Sequence, residues 1–323
     1  MSALENADVA NRNRGADNFI FFEPADENEI DFVDTVIYTG KAQVGDVSVP
    51  LTLEFPAHPI DVKDNRIAMI LNGYLAKEFA YDGLRHALAK RGKPALTMHP
   101  HGYTGHLEWL DINQWLHPDR VRSRATWAVV RHLQSAPRAF ERYGLDINTL
   151  DLAGHSFGFL TGLELAQEHP DIINSITNIG GVGCETQQSA WRMLPRTLEF
   201  MVHELLPAVG ATHQVTARKG WNHAIVSEWD YLASNPGRCL AEGLMAATID
   251  SRGLVRELNR DYRRIGVTAI LGLDDHLIPA YKSLRGSAEL FNPITLITDG
   301  HLGPQIHPDW FAEALLMNIA RLK

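Results

Sequence analysis

Residues 147–169 read INTLDLAGHSFGFLTGLELAQEH, and the pattern changes period at Ser156. The first part, INTLDLAGHS, predicts a strand, and the second, GFLTGLELAQEH, repeats its apolar residues at helical spacing. A strand that runs straight into a helix leaves room only for a tight turn, and Gly154-His155-Ser156-Phe157-Gly158 occupies it. Glycines two before and two after the serine remove the side chains that would collide there. The serine itself is expected in a strained backbone conformation that exposes its hydroxyl. The helix N-terminus beneath it favours developing negative charge. Ser156 is therefore a candidate nucleophile; the plainer alternative is that it caps the helix that follows.

Around this turn, from about residue 31, short β-branched runs alternate with amphipathic stretches, as helices packed on a largely parallel sheet require. FVDTVIYTG and VSVPLTLEF follow each other without a helix and predict an antiparallel hairpin. RIAMILNG, the helix AYDGLRHALAKRG ending on Gly92, and PALTMHPHG then establish parallel β-α-β order. RSRATWAVVRHLQSAPRAFERYG reads as mostly helical, broken at Pro137. After the strand IINSITNIGG the sheet rhythm stops. Residues 182–266 are helix-like and rich in Trp, Met and His, which predicts a helical cap inserted into one α/β unit formed by residues 31–181 and 267–323. The rhythm resumes with GVTAILGLDD, PAYKSLRGSAELF, PITLITDG and the closing helix HPDWFAEALLMNIARLK. Residues 1–30 read as an N-terminal arm, flexible or packed on an edge.

A chain of 323 residues with 45% hydrophobic content can bury a large core. Its net charge of −9, with no basic run, argues against nucleic acid, whose affinity comes from clustered Lys and Arg. No apolar run approaches the roughly 18 residues of a membrane span. The opening MSALENADVANRNRGADNF lacks the basic and apolar regions of a secretory signal. Cys184 and Cys239 are too few for a disulfide framework and have no metal-ligand spacing. The expectation is a cytoplasmic protein that acts on a small molecule.

A serine hydroxyl is a poor nucleophile until a base takes its proton, so a histidine and an acid must follow elsewhere. LITDGHLG places His301 just past the last predicted strand, where a loop can bring an imidazole to the sheet's C-terminal edge. His307 is the weaker candidate because it begins the final helix. Asp274 and Asp275 both follow the strand VTAILGL, and chemistry alone permits either. Alternation at a strand end points neighbours in opposite directions, so at most one of them faces the histidine.

The ordered set resembles the α/β-hydrolase superfamily, over the chain from about residue 31 to the C-terminus. GHSFG resembles the family's nucleophile turn, Gly272-x-x-Asp275-x-x-x-Pro279 its acid loop, and Asp299-Gly300-His301 its histidine loop. The resemblance thus singles out Asp275 as the acid beside Ser156 and His301. In ILNGYLAK, Asn72-Gly73-Tyr74 stands where many members have His-Gly and a variable residue, which implies an oxyanion hole formed by the Tyr74 and Phe157 backbone amides. Two departures are Asn72 for the usual His and Phe159 for a second Gly. The resemblance implies a serine hydrolase of esterase or lipase type that needs no cofactor, with esters ahead of amides, thioesters and C–C bonds. The rival reading is a non-catalytic member of the fold that binds a ligand or acts as a scaffold, which has no use for a complete triad.

Weaker motifs carry plainer readings. His99, His101 and His106 invite a zinc site, yet no further ligand spacing completes it, and no metal is expected. His203-Glu204 opens like H-E-x-x-H but meets Pro207 at the fifth position. Gly181-Val182-Gly183 lacks the third glycine of a dinucleotide loop. Trp191, Met193, Phe200, Met201 and Trp221 read as cap core, with a share of them available to line a pocket.

Overall fold

The computed structural model describes residues 19–21, 33–44, 47–74, 76, 78–98, 117–135, 140–141, 143–185, 190–205 and 236–322. Among them are nine strands: β1 (Phe19–Phe21), β2 (Thr35–Val44), β3 (Val47–Pro56), β4 (Arg66–Leu71), β5 (Ala95–Met98), β6 (Asp146–His155), β7 (Ile173–Ile179), β8 (Gly266–Gly272) and β9 (Ile294–Ile297). The helices of eight residues or more are α1 (Asp82–Lys90), α2 (Pro118–Gln134), α3 (Gly158–Glu168), α4 (Ala190–Phe200), α5 (Pro236–Thr248), α6 (Arg252–Asp261), α7 (Ala280–Ser287) and α8 (Pro308–Arg321). The strands form one sheet in the order β1-β9-β8-β7-β6-β4-β5-β3-β2. Strand β3 is antiparallel to both of its neighbours, and every other pairing is parallel.

Strands buried on both faces are apolar nearly throughout, and consecutive residues feed different cores. Ile67, Met69 and Leu71 of β4 join Leu150 and Leu152 of β6 in one core, closed by Val129 and Leu133 of α2, Leu163 of α3 and Leu284 of α7. Ala68, Ile70 and Ala153 point the other way, onto Leu84 and Leu88 of α1 and Phe311 and Leu315 of α8. Each fully buried Leu or Ile contributes about 1.5–3 kcal/mol, so the two layers hold the sheet between them.

The lead-in hairpin pairs in register from Thr35 with Pro56 to Val44 with Val47, as its sequence predicts. Helix α2 ends at Gln134, short of the predicted run, and Pro137 lies outside the described residues. Two further features refine the sequence reading. Phe19–Phe21, in the predicted arm, adds an edge strand parallel to β9, in keeping with the edge-packed alternative. Helix α6, read as part of the cap, inserts Val255 and Leu258 into the main core and so belongs to the layer beside the sheet.

Chain order places the candidate site. Strand β4 leads outward to β5, and the chain then returns across β4 to β6, so adjacent strands leave in opposite directions at the β4–β6 boundary. Loops at the C-terminal ends of such strands splay apart and open a crevice. Register brings the decisive loops together: Leu71 pairs with Gly154, His155 with Ile179, and Gly272 with Ile297.

Candidate active site

Ser156 has φ of 52°, the only left-handed non-glycine backbone among the described residues. That conformation costs a residue with a Cβ roughly 1–2 kcal/mol, so the surroundings must impose it. They do so through backbone bonds: Ser156 N–H donates to Ile179 O at 3.0 Å, and Ser156 O accepts from Phe159 N–H at 3.2 Å. The flanking glycines answer to the same crowding. A Cβ on Gly154 would meet the Phe159 Cα at 2.5 Å, and one on Gly158 would meet the Leu71 carbonyl oxygen at 2.1 Å.

Because the obstacle at Gly158 is backbone, it cannot yield as a side-chain tip would. Gly158→Ala is expected to cost about 3 kcal/mol or more in urea unfolding. Gly253→Ala, where a Cβ meets nothing within 4 Å on an exposed helix face, is expected to be neutral or slightly stabilising. Equal stability of the two variants would contradict the steric reading of the turn.

Asp275 and His301 come from the neighbouring loops after β8 and β9. His301 Nδ1 lies 2.8 Å from Asp275 Oδ2, with both side chains buried. The other carboxylate oxygen accepts the Ile278 N–H at 2.6 Å, which fixes its orientation. Asp274 is exposed, as strand-end alternation predicts. His307 stands at the N-terminus of α8 and pairs with Asp299 at 2.7 Å, away from Asp275. Burial alone would lower the pKa of His301; the Asp275 carboxylate overcomes it, and the net direction is up from the ordinary 6.5.

His155, the residue before the serine, orders the protons between these loops. Its Nε2 faces the His301 carbonyl oxygen at 2.9 Å, which can only accept, so Nε2 carries the hydrogen. Burial, together with His301, holds the His155 pKa well below the ordinary value, so the ring is neutral and Nδ1 is an acceptor. The Tyr81 hydroxyl, 2.6 Å away, donates to that nitrogen and itself accepts the Gly73 N–H at 3.0 Å. A Cβ on Gly73 would lie 3.2 Å from the Ser156 Cβ and 3.0 Å from His155 Nδ1, so the loop after β4 runs directly against the serine.

The segment after α4 reaches the same place. Phe200 meets the His301 ring edge-on at 5.8 Å. Glu204, half-buried, accepts the His276 N–H at 2.8 Å, the Leu302 N–H at 3.3 Å and the His301 N–H. Burial foremost, and the Asp275 charge after it, raise the Glu204 pKa from its ordinary range. The sequence signal for Glu204 was its pairing with His203, which points to a metal motif and away from this role. Trp191, read as cap core, is 85% exposed, whereas Phe200 is half-buried.

Ser156, Asp275, His301, Tyr74 and Phe157 thus gather at one edge of the sheet. The Ser156 hydroxyl makes no hydrogen bond with His301 in this arrangement; the two residues are linked through His155. Among the described residues neither the Tyr74 nor the Phe157 amide has an acceptor. His99, His101, His106 and Trp221 lie outside the described residues. Among the described residues no helix is long and apolar enough to cross a membrane.

Solved structures share this architecture. The chain superposes on a bromoperoxidase from Bacillus anthracis with a TM-score of 0.61 at 13% identity, over 88% of this chain and 100% of that one. A thermophilic esterase from Thermogutta terrifontis gives 0.58 at 14%, over 88% and 99%. A serine hydrolase involved in carbazole degradation gives 0.59 at 16%, over 89% and 100%. The chain has the α/β-hydrolase fold. No protein-family model and no curated protein sequence matches it.

Proposed function

We propose that the chain is a serine hydrolase that cleaves a carboxylic ester through an acyl-enzyme intermediate. The observation that carries this reading is the left-handed Ser156 at a strand-to-helix turn, at the same end of the sheet as the loops after β8 and β9 that bear the Asp275–His301 pair. A residue that merely capped α3 would have no need of that strain, and the N-cap position of α3 is held by Phe157, one residue past the serine. The esterase and serine-hydrolase neighbours support the same class.

In the proposed mechanism Ser156 Oγ attacks the ester carbonyl as His301 Nε2 takes its proton. Asp275 holds Nδ1–H and stabilises the imidazolium. The oxyanion forms against the Tyr74 and Phe157 amides. The imidazolium then protonates the departing alcohol, leaving Ser156 acylated. Water, deprotonated by His301, attacks the acyl group and releases the acid, restoring the serine. The stretch between β7 and β8, shortened at its end by the core helix α6, serves as the cap, with Phe200 on the site's wall. Fold alone does not choose a substrate, so the cap carries that choice.

The test is hydrolysis of p-nitrophenyl esters of graded acyl length, followed in the first turnover for a burst of phenolate. Its pH dependence is specific. His301 acts as a base only when neutral, and its pKa is raised, so kcat/KM is expected to climb on a one-proton limb with an apparent pKa above 6.5. Asp275→Asn leaves the burial without the carboxylate, and its limb is expected to move below 6.5. A limb unmoved by that substitution, measured from about pH 5 to 8, would contradict the pairing.

A further inference from the structure

Arg122 of α2 is 4% exposed, and a buried guanidinium is costly unless its donors are used. Nε and Nη2 donate as a fork to Glu242 of α5, at 3.0 and 2.7 Å, and that carboxylate is 0% exposed. Nη1 donates to the carbonyls of Asn72 and Gly73, at 2.9 and 3.3 Å. The flat face of the guanidinium covers the Phe157 ring, 4.9 Å from its centroid. One side chain therefore touches the loop after β4, the serine turn and a helix of the β7–β8 stretch.

The carbonyl contacts have a geometric consequence. In a trans peptide the C=O and N–H point in opposite directions. With the Asn72 carbonyl on Arg122, the Gly73 N–H must point away, and it does, donating to Tyr81 Oη at 3.0 Å. With the Gly73 carbonyl on the same guanidinium, the Tyr74 N–H is also turned away from Arg122. Tyr74 is further tied to α5, its hydroxyl donating to Cys239 O at 2.9 Å.

We propose that Arg122 is the positioning residue of the oxyanion hole, and that Glu242 makes its hold conditional on α5 being seated over the site. Arg122 orients the peptides of residues 72–74 so that the Tyr74 amide is presented to the reacting carbonyl, and it steadies Phe157, the bearer of the second amide. This rests on the reading of Ser156 as nucleophile. Lysine cannot replace the fork: a single ammonium does not span a bidentate carboxylate and two carbonyls together.

The experiment measures kcat and KM on one p-nitrophenyl ester, with thermal melts, for Arg122→Gln, Arg122→Lys and Glu242→Gln, alongside fluorophosphonate labelling of the wild type. Arg122→Gln is expected to lower kcat ~10²-fold, the scale of a lost oxyanion donor, with KM changed by less than about threefold. Arg122→Lys is expected to recover part of that, to a loss of roughly tenfold. Glu242→Gln keeps its shape and is expected to lose about tenfold in kcat at unchanged KM; it carries the test if the arginine variants do not fold. A folded arginine variant with wild-type kcat, a loss confined to KM, or wild-type kcat in Glu242→Gln overturns the proposal. Failure of the wild type to label at Ser156 is a separate result, which removes the underlying reading whatever the variants do.

Discussion

Ser156→Ala is expected to lower turnover of an ester that the wild type hydrolyses by roughly 10³-fold or more, without lowering the melting temperature. Both halves of that result follow from the turn. The hydroxyl is the proposed attacking group, so removing it ends covalent catalysis and leaves only what the oxyanion donors and binding supply. It makes no hydrogen bond with His301, so its loss breaks no bond of that pair. Alanine keeps a Cβ at φ of 52° and inherits the same strain. Ser156→Gly relieves that strain and is expected to be equally inactive and more stable, by about 1 kcal/mol. Wild-type turnover in either variant would remove Ser156 from the mechanism.

Asp275→Asn is expected to reduce kcat/KM by ~10⁴-fold, and Asp274→Asn by far less. Asparagine preserves size but offers the wrong partner to His301 Nδ1, so the ring is held in an unproductive tautomer. It also weakens the acceptor at Oδ1 that orients the acid loop through the Ile278 N–H. Asp274 is exposed, and its contact with the histidine loop is a backbone one, its N–H donating to Asp299 O at 3.1 Å. Changing that side chain leaves the bond in place. The comparison needs kcat/KM for both variants on one ester, with melts as a check on folding. A larger loss for Asp274→Asn would shift the acid by one residue.

Much of this arrangement was legible in the chain because the information is local. The change of period at Ser156 marks a strand meeting a helix, and the spacing of two glycines reports the crowding of the turn. Strand-end alternation limits the acid to one of Asp274 and Asp275, and the choice of Asp275 rests on the resemblance of Gly272-x-x-Asp275-x-x-x-Pro279 to the family's acid loop. What escaped has a common physical origin. Phe19–Phe21 is too short to show alternation, and its partner β9 lies far along the chain. Helix α6 displays an apolar face, but amphipathicity tells only that a face is covered, and here Val255 and Leu258 are covered by the main core. Trp191, expected in the core of the cap, is exposed, because the sequence does not show which face of its helix is covered. Glu204 and Arg122 acquire their significance from partners distant in sequence, namely the backbone amides of His276, His301 and Leu302, and the carbonyls of Asn72 and Gly73. No spacing within the chain announces a side chain bonded to another segment's peptide groups.

The most direct measurement is reaction of the folded wild-type protein with a fluorophosphonate, followed by mass-spectrometric mapping of the modified peptide. The expected result is one adduct per chain, on Ser156, lost in Ser156→Ala and slowed in Asp275→Asn. A folded protein that resists the reagent, or carries the adduct on another residue while Ser156 stays unmodified, would contradict the assignment of Ser156 as an activated nucleophile.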